Sequence, residues 1–275
     1  MKYGTLIRLA DPRDAEPKMR QLRECGLDCC QLVYKPEKYE AEDAEIIKEA
    51  SLKTGVEISA QFCGFRDQYA TWNTKSGFLT NGINSPLFAE SRLAYLLSAI
   101  PFIKKLGITD MIIHAGFIPN NPFDDSYGRM LSAMTMLCGH LKNNGLNLLL
   151  ETGTDSPISM LRLIEEVGTG NIYVNLDTGN LIMYGYGNPV DALHTYGRLV
   201  RNTHFKDGLP PTVPGALGKE TEIGSGKVDF KKVISILKSL GYDRYITIER
   251  ELSGGNQSDE IIRALSYIRD IWDNG

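Results

Sequence analysis

The chain has 275 residues, which fits one large α/β barrel as well as two ordinary domains. A formal net charge of −4 argues against a general basic surface for nucleic acid or anionic membranes, and no apolar run approaches the roughly 18 residues of a membrane span. The five cysteines are odd in number and form no Cys-x-x-Cys pair, which predicts reduced thiols in a cytoplasmic protein.

From its start, the sequence predicts strands that alternate with helices. The N-terminal residues are predicted as a first strand, and they lack the basic segment and long apolar stretch of a signal peptide. Further along, helical segments end in a glycine, which adopts left-handed dihedrals without a steric penalty, and a short apolar strand follows. This pattern occurs at Gly26, Gly55, Gly107, Gly145, Gly168 and Gly241. The predicted strands are residues 2–9, 27–34, 56–65, 108–117, 146–153, 171–179, 201–207 and 242–251.

The segments between the strands have the features of amphipathic helices. One apolar stripe at helical spacing consists of Phe230, Val233, Ile234, Leu237 and Leu240. Ser-Pro at 156–157 and Asn-Pro at 188–189 are typical of an N-cap followed by proline in the first helical position. Eight strands alternating with helices over this length predict a single-domain (β/α)8 TIM barrel over residues 1–275. The alternative is a doubly wound open sheet, whose usual Gly-rich phosphate loop is not visible in this sequence.

Two connections are longer than a barrel needs. Residues 66–90 follow the third predicted strand and contain Tyr69, Trp72 and Phe78, whereas residues 208–228 follow the seventh and are rich in proline and glycine. Both come after the C-terminal end of a strand, so both belong to the catalytic face of a barrel. Long ordered loops on that face often close over substrates, and both connections are therefore predicted as lids.

Four residues in the second half of the chain, Glu151, Asp177, His204 and Glu249, each stand at the end of a short apolar run. Consecutive strands of a barrel are neighbours, so these side chains are expected to converge at one side of its mouth. Three carboxylates and one imidazole are a hard, oxygen-rich ligand set for one divalent metal ion, with Mn²⁺, Mg²⁺, Co²⁺ and Zn²⁺ as candidates. The charge of the ion would offset the repulsion among the carboxylates. In the alternative, each carboxylate is only solvated or paired in a salt bridge.

Two further residues close to these strand ends are candidates for the same pocket. His114 ends the fourth predicted strand and is expected to contact the substrate or to lie beside the metal. Lys206 either binds a substrate oxygen or phosphate or forms a salt bridge with a nearby carboxylate. His140 and His194 fall on predicted helices and are expected at the surface.

Five short strings together resemble the xylose-isomerase-like sugar isomerase and epimerase superfamily. They are Leu-Glu-Thr-Gly at 150–153, Leu-Asp-Thr-Gly-Asn at 176–180, His-Phe-Lys-Asp at 204–207, Gly-Ser-Gly-Lys-Val-Asp-Phe at 224–230 and Ile-Glu-Arg-Glu at 248–251. The resemblance covers nearly the whole chain, and its specific motifs lie within residues 146–251. These motifs are specific for the superfamily and weak for any one substrate.

The resemblance implies roles for the four strand-end residues. In the ketose 3-epimerase members, two glutamates, an aspartate and a histidine bind one divalent metal ion, and these correspond to Glu151, Glu249, Asp177 and His204. The resemblance also implies that Glu151 and Glu249 act as an acid/base pair on opposite faces of the substrate carbon, with a metal-stabilised enediolate between the two proton transfers. Mn²⁺ is the metal expected first, and a homodimer or homotetramer is the expected assembly.

One position departs from the family pattern. Many members have a histidine three residues after the aspartate, where it contacts the substrate, whereas this chain has Asn180. An amide can hydrogen-bond a sugar hydroxyl but cannot titrate near neutral pH. Asn180 is therefore expected to bind substrate together with His114, Lys206 and Trp72.

The predicted function is that of a metal-dependent isomerase or epimerase of a small ketose or keto-polyol. The main alternative is a dehydratase or lyase of a cyclic, inosose-like keto-polyol, which can use the same metal site and the same proton abstraction. A non-catalytic carbohydrate-binding barrel is a further alternative, against which the intact ligand set argues. Abasic-site endonucleases share the fold but need more than the four histidines of this chain, which has Ser-Ala-Gln-Phe-Cys at 59–63 where one is expected. The expected partner is a small carbohydrate, with no nucleic acid and no membrane.

Overall fold

The structure is a computed structural model that describes residues 1–34, 38–65, 70–251 and 257–275. Its strands are β1 (Lys2–Ile7), β2 (Cys29–Val33), β3 (Glu57–Phe62), β4 (Asp110–Ile113), β5 (Asn147–Glu151), β6 (Ile172–Asp177), β7 (Val200–Phe205), β8 (Asp207–Leu209), β9 (Lys219–Thr221) and β10 (Tyr245–Ile248). Eight of them close into a barrel in the order β1-β10-β7-β6-β5-β4-β3-β2, and all neighbours are parallel. The predicted (β/α)8 barrel is confirmed, and the open doubly wound sheet is excluded.

Helices connect the barrel strands, and several begin and end where the sequence predicts. They are α1 (Ala15–Glu24), α2 (Asp43–Thr54), α3 (Gly77–Thr80), α4 (Ala89–Ser98), α5 (Ile100–Leu106), α6 (Asp125–Asn143), α7 (Pro157–Val167), α8 (Thr178–Met183), α9 (Pro189–Tyr196), α10 (Phe230–Ser239) and α11 (Gln257–Asn274). Ser156 and Asn188 cap α7 and α9 with their side chains, and a proline follows each. Gly55 and Gly168 end α2 and α7 in the left-handed conformation. In the described part of the chain, no helix is long and apolar enough to cross a membrane.

The barrel strands end earlier than predicted at the mouth of the barrel. The predicted strand 108–117 is shortened to Asp110–Ile113, so His114 lies just beyond β4. The predicted strand 171–179 ends at Asp177, whose side chain accepts a hydrogen bond from the backbone N–H of Asn180 and starts α8. The sequence stays apolar beyond these points although the chain turns there. Because the prediction used apolar composition alone, it extended the strands past the turns.

The two long connections differ in what they contain. In the connection over residues 66–90, residues 66–69, including Tyr69, lie outside the described residues, and the remainder holds α3 and the start of α4. The connection over residues 208–228 contains most of an antiparallel hairpin of β8 and β9, which the sequence did not predict because each strand has only three residues. The two connections touch, since the backbone N–H of Thr74 donates to the carbonyl oxygen of Gly215 at 3.2 Å. Their role as lids stays a prediction.

A layer of buried polar side chains crosses the barrel interior below its mouth. Asn175, Asn202 and Thr247 each precede one of the strand-end residues by two positions and are fully buried. Because side chains two apart on a strand point to the same face, these residues lie directly below Asp177, His204 and Glu249. Gln31 on β2 belongs to the same layer. The five cysteines are free, and all but Cys25 are buried.

Candidate metal centre

Four side chains meet at the C-terminal ends of the barrel strands. Glu151, Asp177 and His204 end or nearly end β5, β6 and β7, and Glu249 follows β10 directly. Each side chain is buried and offers one ligand atom, and these atoms lie within 4.8 Å of one another. The structure thus brings together the four residues that the sequence singled out.

His204 faces the three carboxylates with one edge of its ring. Its Nδ1 is 2.9 Å from Glu151 Oε1, 3.2 Å from Glu249 Oε2 and 3.9 Å from Asp177 Oδ2. The second oxygen of Glu151, Asp177 Oδ2 and Glu249 Oε2 are buried and face nitrogens of His114, Lys206 and His204 at 2.9–3.4 Å. Three buried carboxylates this close together repel one another, and a divalent cation bound between them would offset that repulsion. The donor set therefore fits a divalent metal ion.

Lys206 supplies positive charge at the edge of this cluster. Its ammonium nitrogen is 2.9 Å from Glu249 Oε2, 3.0 Å from Glu251 Oε2 and 3.4 Å from Asp177 Oδ2, and its side chain is only 1% exposed. Gly179 makes room for it, because a Cβ at that position would lie 2.8 Å from Lys206 Cγ. Of the two alternatives that the sequence left open for Lys206, the structure contains the salt bridge.

Burial and charge shift the pKa values of the cluster in opposite directions. Burial lowers the pKa of His204, but Glu249 and Glu151 outweigh burial and raise it to about 10. Burial alone would raise the pKa of Glu249, but Lys206 and His204 hold that pKa well below its usual range. Burial also raises the pKa of Asp177 well above its usual range, against the attraction of Lys206. In the absence of a cation, protonated His204 and Lys206 balance the carboxylates, so a cation that binds His204 has to displace its proton.

His114 and Trp72 form one wall of a pocket beside the cluster. His114 Nε2 is 3.1 Å from Glu151 Oε2, and its Nδ1 is buried without a hydrogen-bond partner in the described ranges. The rings of Trp72 and His114 lie against each other with centroids 5.0 Å apart. The pocket is lined by Arg8, Phe62, Gly64, Phe65, Trp72, His114, Glu151, Glu249 and Glu251. Aromatic surface next to convergent polar groups is typical of a site for a small polar molecule.

Asn180 links the carboxylate cluster to Lys206. Its Nδ2 donates to Glu151 Oε1 at 3.4 Å, and its Oδ1 accepts from Lys206 Nζ at 3.3 Å. Its backbone N–H donates to Asp177 Oδ1 at 2.7 Å, which leaves Oδ2 of that carboxylate facing the cluster. Asn180 therefore helps to orient two of the carboxylates, as well as lying where the family histidine is expected.

Arg8, Glu251 and Gln31 contribute polar groups to this site and were not singled out from the sequence. Arg8 follows β1 by one position and Glu251 follows β10 by three, so the strand-end criterion would have found both if it had been applied to every strand. Gln31 is less obvious, because it lies inside the apolar run Cys-Cys-Gln-Leu-Val and its Oε1 is 2.6 Å from His204 Nε2. His140 and His194 are exposed on α6 and α9, away from the cluster, as predicted.

Comparison with curated sequences finds inosose dehydratases over part of the chain. The enzyme of that name from Clostridium botulinum (strain Eklund 17B / Type B) is 27% identical over 133 residues, which cover 43% of this chain and 44% of the relative. The inosose dehydratase from Lacticaseibacillus casei is 23% identical over 163 residues, which cover 53% of this chain and 54% of the relative. The chain thus spans about half the length of the curated relatives it matches.

Solved structures match the fold over nearly its full length. A xylose isomerase domain protein from Planctomyces limnophilus has a TM-score of 0.85 and 25% identity, with 98% of this chain and 95% of that chain covered. A D-psicose 3-epimerase with D-tagatose from Clostridium cellulolyticum H10 has a TM-score of 0.73 and 13% identity, with 99% of each chain covered. A xylose isomerase-like TIM barrel protein from Mycobacterium smegmatis in complex with magnesium has a TM-score of 0.69 and 18% identity, with 96% of this chain and 89% of that chain covered. At such identities, the last two show a shared fold.

The family assignment follows from a match that covers most of the chain. The model of the xylose isomerase-like TIM barrel family matches residues 19–271, a range that includes β2 to β10 and all four residues of the cluster. The closed barrel and the resemblance of residues 146–251 agree with that match. The chain therefore belongs to the xylose isomerase-like TIM barrel family.

Proposed function

We propose that this protein is a divalent-metal-dependent isomerase or epimerase of a small ketose or keto-polyol, with Glu151 and Glu249 as its proton-transfer pair. The observation that carries the proposal is the convergence of four ligand atoms within 4.8 Å, two of them on glutamates that also line the adjoining pocket. A purely structural cluster would not need to place both glutamates against an open pocket.

The chemistry of the four donors supports a hard divalent ion. Three carboxylates and one imidazole suit Mn²⁺, Mg²⁺, Co²⁺ or Zn²⁺, and the magnesium-bound relative from Mycobacterium smegmatis shows that a barrel of this fold takes such an ion. Glu151, Asp177, His204 and Glu249 would hold the ion. When bound, it would act as a Lewis acid that polarises the substrate carbonyl and stabilises the charge of the enediolate.

The side chains around the ion would carry the proton transfers. One of the two glutamates removes the proton from the carbon next to the carbonyl, and the other returns a proton to the opposite face, which inverts the stereocentre. Lys206, at 2.9 Å from Glu249, favours the ionised form of that carboxylate. Trp72 and His114, whose ring centroids are 5.0 Å apart, would hold the substrate against the pocket wall, and Asn180 would hydrogen-bond one of its hydroxyl groups.

A dehydratase of a cyclic keto-polyol is the second candidate, because the curated relatives that match part of the chain are inosose dehydratases. Its first step is the same removal of a proton next to the carbonyl. A hydroxyl group on the next carbon then leaves as water, after a proton has been supplied to it. The two functions therefore share the cluster and differ in the fate of the enediolate.

Hydrogen exchange in deuterated water tests both candidates at once. A panel of ketoses and inososes is incubated with the Mn²⁺-loaded protein in deuterated water, and deuterium uptake is followed by NMR and mass spectrometry. We expect the protein to exchange the proton next to the carbonyl of its substrate. Glu151→Gln and Glu249→Gln should each slow the exchange by at least about 100-fold, since each removes a proton-transfer group. Glu165→Gln, an exposed glutamate on α7, is the matched control and should exchange as wild type does.

The products decide between the candidates. Deuterium uptake into a product that has the same molecular formula as the substrate, apart from the isotope, supports epimerisation or isomerisation. Loss of water from the substrate supports the dehydratase. Binding of a polyol with neither hydrogen exchange nor loss of water in any compound would contradict both and favour a non-catalytic carbohydrate-binding barrel.

A further inference from the structure

The two ring nitrogens of His204 lie in different environments. Nδ1 faces the carboxylates of the cluster, whereas Nε2 faces the polar layer inside the barrel and is 2.6 Å from Oε1 of Gln31. A neutral imidazole carries one proton, and the nitrogen that binds a metal must be the one without it. The position of that proton therefore decides whether His204 can be a ligand.

The carboxylates by themselves favour the wrong tautomer. A proton on Nδ1 could be donated to Glu151 Oε1 at 2.9 Å or to Glu249 Oε2 at 3.2 Å, and both acceptors carry charge. An acceptor at Nε2 is needed to hold the proton on the far side of the ring. Gln31, which is fully buried, has its amide next to Nε2.

Backbone groups at the far end of the hydrogen-bond network fix its direction. The backbone N–H of Thr203 donates to Asn202 Oδ1 at 2.9 Å, so the other amide atom of Asn202, Nδ2, is the one that donates to Ser59 Oγ at 3.2 Å. The Ser59 hydroxyl in turn donates to the carbonyl oxygen of Cys30, which can only accept. The orientation of Asn202 is therefore set by main-chain atoms.

The same direction continues from Asn202 to His204. The hydroxyl of Thr247 donates to Asn202 Oδ1 at 3.3 Å, and its oxygen is then free to accept from Gln31 Nε2 at 3.3 Å. With its Nε2 directed to Thr247 and to Asn175 Oδ1 at 3.5 Å, Gln31 must present Oε1 to His204. An amide oxygen can only accept, so the ring proton has to be on Nε2.

We propose that Gln31 is a positioning residue that holds the proton of His204 on Nε2 and thereby leaves the Nδ1 lone pair free for the divalent cation. The inference rests on the proposed metal site. A partner that binds the far nitrogen of a metal-bound histidine fixes its tautomer and ring orientation, and removal of such a partner typically weakens metal binding by about 10–100-fold. Gln31 is 173 positions from His204 in the chain and reaches it only because the barrel closes.

The test measures metal affinity rather than turnover. Gln31→Leu removes the acceptor at similar volume, and Gln31→Glu retains an acceptor at the same place. We expect Gln31→Leu to bind Mn²⁺ about 10–100-fold more weakly than wild type, and Gln31→Glu to bind it at least as tightly. Gln61→Leu is the matched control, because Gln61 is also a fully buried glutamine, on the neighbouring strand β3, and its Nε2 donates to Cys63 Sγ at 3.4 Å.

The tautomer itself can be read in the wild-type protein. In ¹⁵N–¹H NMR spectra of the Zn²⁺-loaded protein, we expect the ring proton of His204 on Nε2, and a proton on Nδ1 would overturn the proposal even if Gln31→Leu failed to fold. Equal Mn²⁺ affinity of wild type and Gln31→Leu would overturn it as well. A loss of Mn²⁺ affinity in Gln61→Leu as large as that in Gln31→Leu would have the same consequence. Failure of wild type to bind any divalent cation would instead contradict the proposed metal site.

Discussion

Asp155 is a buried carboxyl group for which the described residues provide one hydrogen bond and no positive charge. It follows β5 by four positions, and its Oδ1 is 3.2 Å from the hydroxyl oxygen of Thr154, whose single proton is shared with the carbonyl oxygen of Gly116. Burial raises the pKa of Asp155 to about 8, and the hydrogen bond from Thr154 opposes only part of that shift. Asp155 is therefore protonated in the native protein over much of the neutral pH range.

This shift predicts how stability depends on pH. In the unfolded chain the carboxyl group loses its proton near pH 4, whereas in the native protein it keeps the proton up to about pH 8. Between these values the native state binds more protons than the unfolded state, so the free energy of unfolding decreases as pH rises, by at most ~1.4 kcal/mol per pH unit. Asp155→Asn cannot ionise and should lose less stability than wild type between about pH 5 and about pH 8.

Urea denaturation at several pH values, at constant ionic strength, measures this difference. Asp243→Asn is the control, because Asp243 is exposed and should leave the pH profile of wild type unchanged. Parallel profiles of wild type and Asp155→Asn would show that Asp155 ionises normally in the native protein.

The hairpin of β8 and β9 depends on one carboxylate at its base. Asp207 is buried, and its two oxygens accept hydrogen bonds from the backbone N–H groups of Gly208, Gly224, Gly226 and Val228 at 2.8–3.1 Å. Gly226 has to be a glycine, since a Cβ there would lie in collision with the Asp207 carboxylate. The motif strings at 204–207 and 224–230 are thus joined in space, with the second string wrapped around the last residue of the first.

Removal of this carboxylate should loosen the hairpin and the segment after it. Asp207→Ala leaves the backbone N–H groups without an acceptor, and we expect a loss of ~2–4 kcal/mol in the free energy of unfolding. Hydrogen-exchange mass spectrometry should show faster exchange over residues 219–228 than in wild type. The exchange rate in Asp207→Asn, which keeps one acceptor oxygen, should lie between those of wild type and Asp207→Ala. Glu165→Gln should exchange as wild type does. Unchanged exchange in Asp207→Ala would mean that the hairpin is held by other contacts.

The proposed metal site would join four parts of the barrel. Its ligands come from β5, β6, β7 and the end of β10, which are consecutive around the closed sheet. A cation bound there would bridge these strands in the native state only, because the unfolded chain does not hold the four side chains together. Metal binding and the stability of the whole barrel are therefore expected to be coupled.

Thermal unfolding measures this coupling. At a Mn²⁺ concentration about 100 times its dissociation constant, binding should add ~2.7 kcal/mol to the free energy of unfolding. For a protein of this size, that corresponds to a rise of the melting temperature by roughly 5 °C, which EDTA should reverse. Asp177→Asn should lose most of the rise, whereas Asp243→Asn should keep it. An equal rise in wild type and Asp177→Asn would place the bound ion elsewhere.

The expected homodimer or homotetramer and the single-domain organisation stay predictions.

The sequence by itself determined the barrel and the set of strand-end residues. Glycine C-caps, N-caps before proline and apolar strands are local patterns, and parallel strands in chain order place their C-terminal ends at one mouth. That is why Glu151, Asp177, His204 and Glu249 can be grouped from the sequence alone, and why the motif strings predict the family.

Only the tertiary structure decided how these side chains are held. The contact of Gln31 with His204, the three carboxylates around Lys206 and the pairing of Asp207 with residues 224–228 all join segments that are distant in the chain. Such contacts depend on barrel closure and strand register, which no short sequence pattern encodes. The early ends of the strands have the same origin, because the turns at the mouth are set by hydrogen bonds such as that from Asn180 to Asp177 and not by apolar composition.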